Sequence, residues 1–256
     1  MTNIRIIIEL TKRDIQEQFA GSVLGSLWAV LWPFIDLLIY IIIFGQMMGG
    51  RLPGNSSMAS YGVYVAVGLI PWKCFSTCII RSTSIFVDKK HIITKVNFPL
   101  LSLLLYVNLA EIVKFFISCA LLSVFFIVTD YSVNMKWIFF PVVFYLQQIF
   151  AFSLGAIAAV FTVFFRDMRE IVGIIIQFWF WFTPIVYVVD ILPETILKFI
   201  SWNPAYTFVG SYHKLFVFNQ YPDWYSLALL ALMVHGLLFC ALWVLKIFEK
   251  EIRDFL

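Results

Sequence analysis

The chain has 256 residues, of which 62% are hydrophobic, 19% aromatic and only 13% charged, and its formal net charge is +3. Soluble globular domains carry roughly 25% charged residues, so this composition excludes a soluble domain. The apolar runs reach the roughly 20 residues that a helix needs to cross a bilayer, whereas membrane β-strands alternate in shorter segments. The sequence therefore predicts an all-α integral membrane protein, with a single domain over residues 1–256.

Residues 3–20, NIRIIIELTKRDIQEQFA, combine a stripe of isoleucines with charged residues on the opposite side of a helical projection. This pattern is typical of an amphipathic helix lying at the membrane interface. A helix docked on a soluble partner would show the same pattern, so both interpretations stay open.

Six apolar runs follow that are long enough to span a bilayer. Two of them exceed the hydrocarbon thickness and must tilt or project into water. A further apolar segment, 191–217, is divided by Pro193 and by the Asn203–Pro204 pair into pieces too short to span. We interpret it as a re-entrant helix pair on the outer face, before the last span. The six predicted spans are 27–48, 61–81, 99–129, 137–165, 171–189 and 224–247.

Lysine and arginine are distributed unevenly over the predicted loops. With the amino terminus inside the cell, most of these residues fall in the inner segments, as the positive-inside rule requires. Both termini are therefore predicted to be cytoplasmic. The loop 82–95 becomes a cytoplasmic segment with apolar residues available for docking, although it can also be only a basic inner loop.

Asp36, Lys73, Glu111 and Lys114 fall well inside the predicted spans, away from their ends, where each charge is costly unless paired or hydrated. Glu111 and Lys114 lie three residues apart, a spacing that allows them to pair on one helix; a proton relay is the alternative. Lys73 is expected either to extend toward the interface or to meet an acidic group such as Asp36 or a substrate phosphate.

The sequence contains no recognisable catalytic or nucleotide-binding motif. The nearest approach to a phosphate-binding loop, GQMMGGRL at 45–52, lacks both the lysine and the hydroxyl residue that such loops use. No cluster of acids, histidines or metal ligands suggests a membrane-embedded enzyme. An ion-coupled transporter of polyprenyl-linked glycans is a competing interpretation, but only one half of the chain has broken helices.

Four stretches resemble the membrane subunit of ABC exporters of the ABC-2 type, in particular those that export lipid-linked O-antigen polysaccharide. Capsule and teichoic-acid exporters share much of the pattern. The stretches are RDIQEQFAGSVLGSLWAVLWP (13–33), GLIPWKCFSTCIIRSTSIFVDKKHIITKVNFP (68–99), VFFRDMREIVGIIIQFWFWFTPIVY (163–187) and NPAYTFVGSYHKLFV (203–217).

The resemblance implies a homodimer in the inner membrane of a Gram-negative bacterium, working with two copies of a cytoplasmic ATPase subunit. ATP and magnesium would bind to that partner, and this chain would bind no metal, cofactor or nucleic acid. The substrate would be a polysaccharide carried on undecaprenyl diphosphate, passing through a channel with aromatic lining. Candidate lining residues are Tyr40, Phe44, Trp179, Trp181, Phe182 and Tyr187.

The resemblance also suggests two sets of residues on the cytoplasmic side. Arginines near the channel mouth would attract the diphosphate, because a guanidinium matches phosphate in a forked geometry; these are Arg5, Arg13, Arg81, Arg166 and Arg169. Residues 82–95 would form the coupling helix that contacts the ATPase, with Ile85, Phe86, Asp88, Lys89, Lys90 and His91 as candidates.

Overall fold

The computed structural model describes residues 4–47, 58–95, 98–129, 134–189 and 192–256, and within these ranges the chain forms helices and no β-strand. The all-α prediction is confirmed. The α-helices are α1 (Ile4–Glu17), α2 (Trp28–Ile39), α3 (Met58–Asp88), α4 (Lys90–Lys95), α5 (Leu100–Val128), α6 (Phe140–Phe164), α7 (Met168–Trp181), α8 (Glu194–Ser201), α9 (Pro204–Phe216) and α10 (Trp224–Phe255).

Four helical segments in the described part of the chain are long and apolar enough to cross a membrane, which confirms a membrane protein. They are Tyr61–Asp88, Leu100–Val128, Met135–Phe164 and Trp224–Phe255. The most apolar windows of α3 and α6 are 72% and 67% buried, against 22% for α5 and for α10. Helices α3 and α6 therefore form the centre of the subunit, and α5 and α10 lie at its outside.

Small residues bring α3 and α6 close together. Ala151, Gly155 and Ala159 are spaced four apart on one face of α6, and all three are buried. A Cβ atom added at Gly155 would lie 2.7 Å from the Cβ of Ser82 on α3. Any side chain at this position would push the two helices apart, as expected where small residues allow close packing of membrane helices.

A buried polar contact joins α3, α6 and α9. Pro71 interrupts the hydrogen-bond ladder of α3 because it has no N–H. Gln147 on α6 donates to the Pro71 carbonyl at 3.0 Å and accepts from the Tyr212 hydroxyl at 2.7 Å. This contact satisfies buried polar groups that would otherwise destabilise the core, and it fixes α9 against the two central helices.

The first and fifth predicted spans are shorter or less regular than expected. Helix α2 ends at Ile39 and continues as a π-helix over Tyr40–Met47. Helix α7 has 14 residues and ends at Trp181, so at about 1.5 Å per residue it is shorter than the roughly 30 Å hydrocarbon core. Pro184 disfavours helical geometry at the residue before it, which explains why the helix does not continue.

No helix break separates the predicted second span from the predicted coupling segment at residues 81–82. Helix α3 runs without interruption to Asp88, and only the short α4 follows. The reason is that Ile85 and Phe86, which the pattern made available for docking, are buried in the core of this chain. Packing of Ile85 and Phe86 against the rest of this core keeps α3 helical beyond residue 81.

Two short helices, α8 and α9, lie within the predicted re-entrant segment 191–217, of which the structure describes residues 192–217. Pro193 precedes the first helical residue of α8. Asn203 caps α9, since its side-chain oxygen accepts from the Ala205 N–H at 3.0 Å, and Pro204 takes the first helical position. Proline at this position is compatible with a helix start, because the missing N–H has no helical partner there.

Candidate functional site

A cluster of four charged side chains connects three helices. Arg81 on α3 donates to both carboxylate oxygens of Asp14 on α1, at 2.6 and 2.8 Å, and to Glu111 Oε1 on α5 at 2.5 Å. Lys114 donates to the same Glu111 oxygen at 2.7 Å. The side chains of Glu111 and Asp14 are only 5% and 14% exposed. We call Asp14, Arg81, Glu111 and Lys114 the Arg81 cluster.

The Arg81 cluster holds two positive and two negative charges, so its burial leaves no net charge unpaired. The pairing of Glu111 with Lys114, expected from their spacing, is present. The guanidinium of Arg81 is already bound by two carboxylates, which makes it a structural link rather than a free phosphate ligand. Sequence reasoning missed Asp14, although this residue follows Ile7 and Thr11 on the buried face of α1, where a charge requires a partner.

Next to this cluster lies a pocket of about 270 Å³ between α2, α3 and α5. Lys73 and Asp36 form an ion pair in it, which is one of the two outcomes expected for Lys73. Glu111 and Lys114 form part of the wall. This pocket, called the α2–α3–α5 pocket below, therefore shares two residues with the Arg81 cluster. Its remaining wall includes five aromatic residues, Phe19, Trp28, Trp32, Tyr40 and Phe115, beside smaller polar and apolar side chains.

The structure separates the six aromatic candidates for a channel lining. Tyr40 lines the α2–α3–α5 pocket. Trp179 is packed inside the subunit, where its indole N–H donates to Asn203 at 2.7 Å and its ring contacts Trp72, Phe75 and Phe150.

Trp181 and Phe182 are 61% and 64% exposed at the end of α7. The Tyr187 hydroxyl donates to the Trp181 carbonyl at 2.8 Å. The side chain of Phe44 lies outside the described residues. The five candidates whose side chains are described consequently do not form one surface in a single subunit, and among these five only Trp181 and Phe182 present most of their side chains outward.

Arg166 and Arg169 are exposed beside the first turn of α7. Their acidic neighbours Asp167 and Glu170 form no ion pair with them within 4 Å in the described ranges. Both guanidinium groups therefore remain accessible to an anion at this turn.

Of the two candidate arginines on α1, Arg13 forms an ion pair with an acidic neighbour, unlike the arginines beside α7. Arg13 is exposed and paired with Glu17 at 2.5 Å, and the hydrogen bond from Arg13 lowers the pKa of the Glu17 carboxyl. Arg5 is also exposed. Exposed pairs of this kind contribute little to stability, so the Arg13–Glu17 pair does not prevent Arg13 from meeting another anion.

The coupling candidates divide into buried and exposed residues. Ile85 and Phe86 are buried in the core, whereas Asp88, Lys90 and His91 are exposed around the turn between α3 and α4. Lys89 is half-buried, and its Nζ lies 4.0 Å from the Glu17 carboxylate on α1. Asp88, Lys90 and His91 can therefore contact another protein without unfolding the end of α3, whereas Ile85 and Phe86 cannot.

Comparison with known families identifies the class of protein. Residues 6–217 match the family model described as "ABC-2 type transporter". This match covers most of the chain, and the protein belongs to the ABC-2 type transporter family. It is thus a non-catalytic membrane subunit of an ABC transporter, a class of subunit that implies an ATPase partner.

The most informative relatives are permeases for polysaccharides. The chain is 29% identical over 252 residues to the O-antigen export system permease protein RfbA of Myxococcus xanthus, covering 98% of this chain and 94% of the relative. It is 29% identical over 213 residues to RfbA of Klebsiella pneumoniae, covering 83% and 80%. It is 26% identical over 202 residues to the polysialic acid transport protein KpsM of Escherichia coli, covering 75% and 73%.

Proposed function

We propose that this chain is the channel-forming subunit of an ATP-driven exporter that moves an O-antigen polysaccharide, linked to undecaprenyl diphosphate, from the cytoplasm to the periplasm. The observation that carries this proposal is the similarity to an O-antigen export permease over 98% of this chain. Its match to the polysialic acid transport protein covers a smaller share, 75%. Matching over nearly the full length favours the O-antigen branch.

In this proposal, two copies of a cytoplasmic ATPase subunit bind ATP and magnesium and act on the turn between α3 and α4. Asp88, Lys90 and His91 support this role because they are exposed there. Helix α3 is continuous from this turn into the centre of the subunit, so a displacement of the turn would be carried into the core.

The exporter is proposed to be a homodimer, assembled mainly through the first and fifth spans. An apolar face of α7 supports this arrangement: Ile174, Phe178, Trp181 and Phe182 are all more than half exposed. Between two subunits this face would supply the aromatic surface on which sugar rings can slide. Arg166 and Arg169, at the opposite end of α7, would then lie at the cytoplasmic mouth and attract the diphosphate.

The proposed topology has six spans, both termini in the cytoplasm and the α8–α9 pair re-entering from the periplasmic side of a Gram-negative inner membrane. The excess of lysine and arginine in the inner segments supports this orientation. A reversed orientation would place the basic end of α10, with Lys246, Lys250 and Arg253, outside the cell.

A capsular polysaccharide or a teichoic acid is the alternative cargo. The similarity to a polysialic acid transport protein, 26% identical over 202 residues, is the observation in its favour. The two cargoes differ in the surface polymer that disappears when export stops.

Deletion of the gene from its host is expected to remove O-antigen from the cell surface and to cause lipid-linked glycan to accumulate inside. Expressing the chain again in the deletion strain should restore surface O-antigen when the partner ATPase is active, but not when the catalytic residues of that ATPase are mutated. The measurement is lipopolysaccharide electrophoresis together with extraction of lipid-linked glycans. Loss of capsule with intact O-antigen would favour the alternative, and normal export of both polymers would overturn the proposal.

A further inference from the structure

The α2–α3–α5 pocket places an ion pair within helices proposed to cross the membrane. The side chains of Lys73 and Asp36 are 61% and 26% exposed there, rather than buried in protein. Charges at membrane depth are costly unless they face a polar cavity, and they commonly mark the path of a ligand or an ion. The pocket therefore needs an explanation beyond packing.

The two lysines in this pocket have hydrogen-bonding capacity to spare. A lysine ammonium group has three N–H donors. In the described structure Lys73 directs one toward Asp36 and Lys114 directs one toward Glu111. The remaining donors of both ammonium groups are available to the oxygens of a phosphate.

The other walls of the pocket suit a neutral, hydroxylated ligand. Asp36 and Glu111 offer carboxylate oxygens that can accept from hydroxyl groups. Trp28 and Trp32 lie with their ring centroids 5.7 Å apart, and Trp32 is 54% exposed. Aromatic faces of this kind stack on flat ligand surfaces without demanding one hydrogen-bond pattern, and the C–H face of a sugar ring is such a surface.

Charge and size narrow the ligand further. The pocket contains as many carboxylates as ammonium groups, so a phosphate joined to a sugar, which uses both kinds of group, would gain more from it than a phosphate alone. Its volume of about 270 Å³ is just below the roughly 300–1,000 Å³ usual for small-molecule sites. A pocket of this charge and volume can hold a phosphate with one attached sugar, but it cannot hold a chain of sugars.

We propose that the α2–α3–α5 pocket binds the head group of a lipid-linked glycan: Lys73 and Lys114 hold the phosphate, Asp36 accepts from hydroxyls of the first sugar, and Trp32 stacks on that sugar. This inference rests on the proposed function and assigns a binding site to its substrate. The aromatic rim keeps the lipid chain in an apolar environment while the polar end enters the pocket.

The test uses the complex of this chain with its ATPase partner in phosphatidylcholine nanodiscs. Binding is measured for radiolabelled farnesyl diphosphate and for the same lipid carrying one N-acetylglucosamine on its terminal phosphate. Lys73→Gln is expected to weaken both probes by about tenfold or more, as for loss of one charge-assisted hydrogen bond. Asp36→Asn is expected to weaken only the sugar-bearing probe.

Two further variants separate ligand binding from a structural role of the ion pair. Lys198→Gln, which removes an exposed lysine of α8, should leave binding unchanged. The double variant Asp36→Asn with Lys73→Gln removes the pair without leaving a lone charge, and it should remain defective. Normal binding by Lys73→Gln, or recovery in the double variant, would overturn the pocket assignment.

Adding phosphatidylglycerol to the nanodiscs tests whether the pocket binds the phosphate of the lipid-linked glycan or that of ordinary anionic lipids. Retained binding of the sugar-bearing probe supports the assignment, whereas its displacement would show that the pocket takes bulk lipid and would overturn it. A wild-type complex that binds neither probe, from cells that export normally, would overturn the pocket but not the proposed function. Export that continues after gene deletion would instead overturn the function, independently of any binding result.

Discussion

Arg81→Met is expected to destabilise the protein more than any other single substitution of a charged residue discussed above. The change leaves Asp14 without its ion-pair partner, with only the hydrogen bond from Gln18, and leaves Glu111 paired only with Lys114. Removing one member of a buried ion pair typically costs about 3–5 kcal/mol. The measurement is the thermal midpoint of unfolding of the purified protein in detergent, together with the yield of folded protein from membranes.

Two other variants make this result specific to the buried cluster. Arg13→Met removes an exposed pair with Glu17 and should cost no more than about 1 kcal/mol. Arg81→Lys keeps the charge but not the fork that reaches two carboxylates, so an intermediate midpoint is expected. If Arg81→Met and Arg13→Met unfold at the same temperature, the cluster does not hold α1, α3 and α5 together.

Adding negative charge at the turn between α3 and α4 is expected to stop export without unfolding the subunit. Lys90→Glu combined with His91→Glu changes two exposed side chains and leaves the buried residues Ile85, Phe86 and Ile93 intact. Like-charge contacts across an interface cost several kcal/mol, and each 1.4 kcal/mol is a factor of about ten in affinity. Both surface O-antigen and co-purification of the ATPase should therefore fall by more than about tenfold.

The matched control is Lys250→Glu, a charge reversal at an exposed residue near the end of α10, on the same side of the membrane in the proposed topology. It should leave both readouts near wild type. Normal co-purification of the ATPase with the double variant would show that the partner contacts another surface.

Much of the architecture follows from hydrophobic run length, because a buried membrane helix must satisfy its own backbone hydrogen bonds. The helical class and the long helices α3, α5, α6 and α10 could be predicted in this way, and the interruption at Asn203–Pro204 could be predicted from the proline. The end of α3 could not, because Ile85 and Phe86 have the same pattern whether they face a partner protein or their own core. The packing of the folded chain decides whether these two residues face a partner protein or the core.

The candidate site shows the same limit. Glu111 and Lys114 are neighbours on one helix, so their spacing predicts their contact. The link from Arg81 to Asp14 joins residues 67 positions apart, and no periodicity encodes it. Aromatic residues cover several faces of α7, so the sequence could not show that Trp179 is half-buried against the core while Trp181 and Phe182 are exposed.

The most direct test of the account is transport in purified vesicles. The chain and its ATPase partner are reconstituted together, a radiolabelled lipid-linked O-antigen is supplied on the side of the ATPase, and its arrival on the other side is measured with a glycan-cleaving enzyme. We predict transfer that requires ATP hydrolysis and both proteins. Transfer driven by an ion gradient without ATP, or by this chain without the ATPase, would contradict the account.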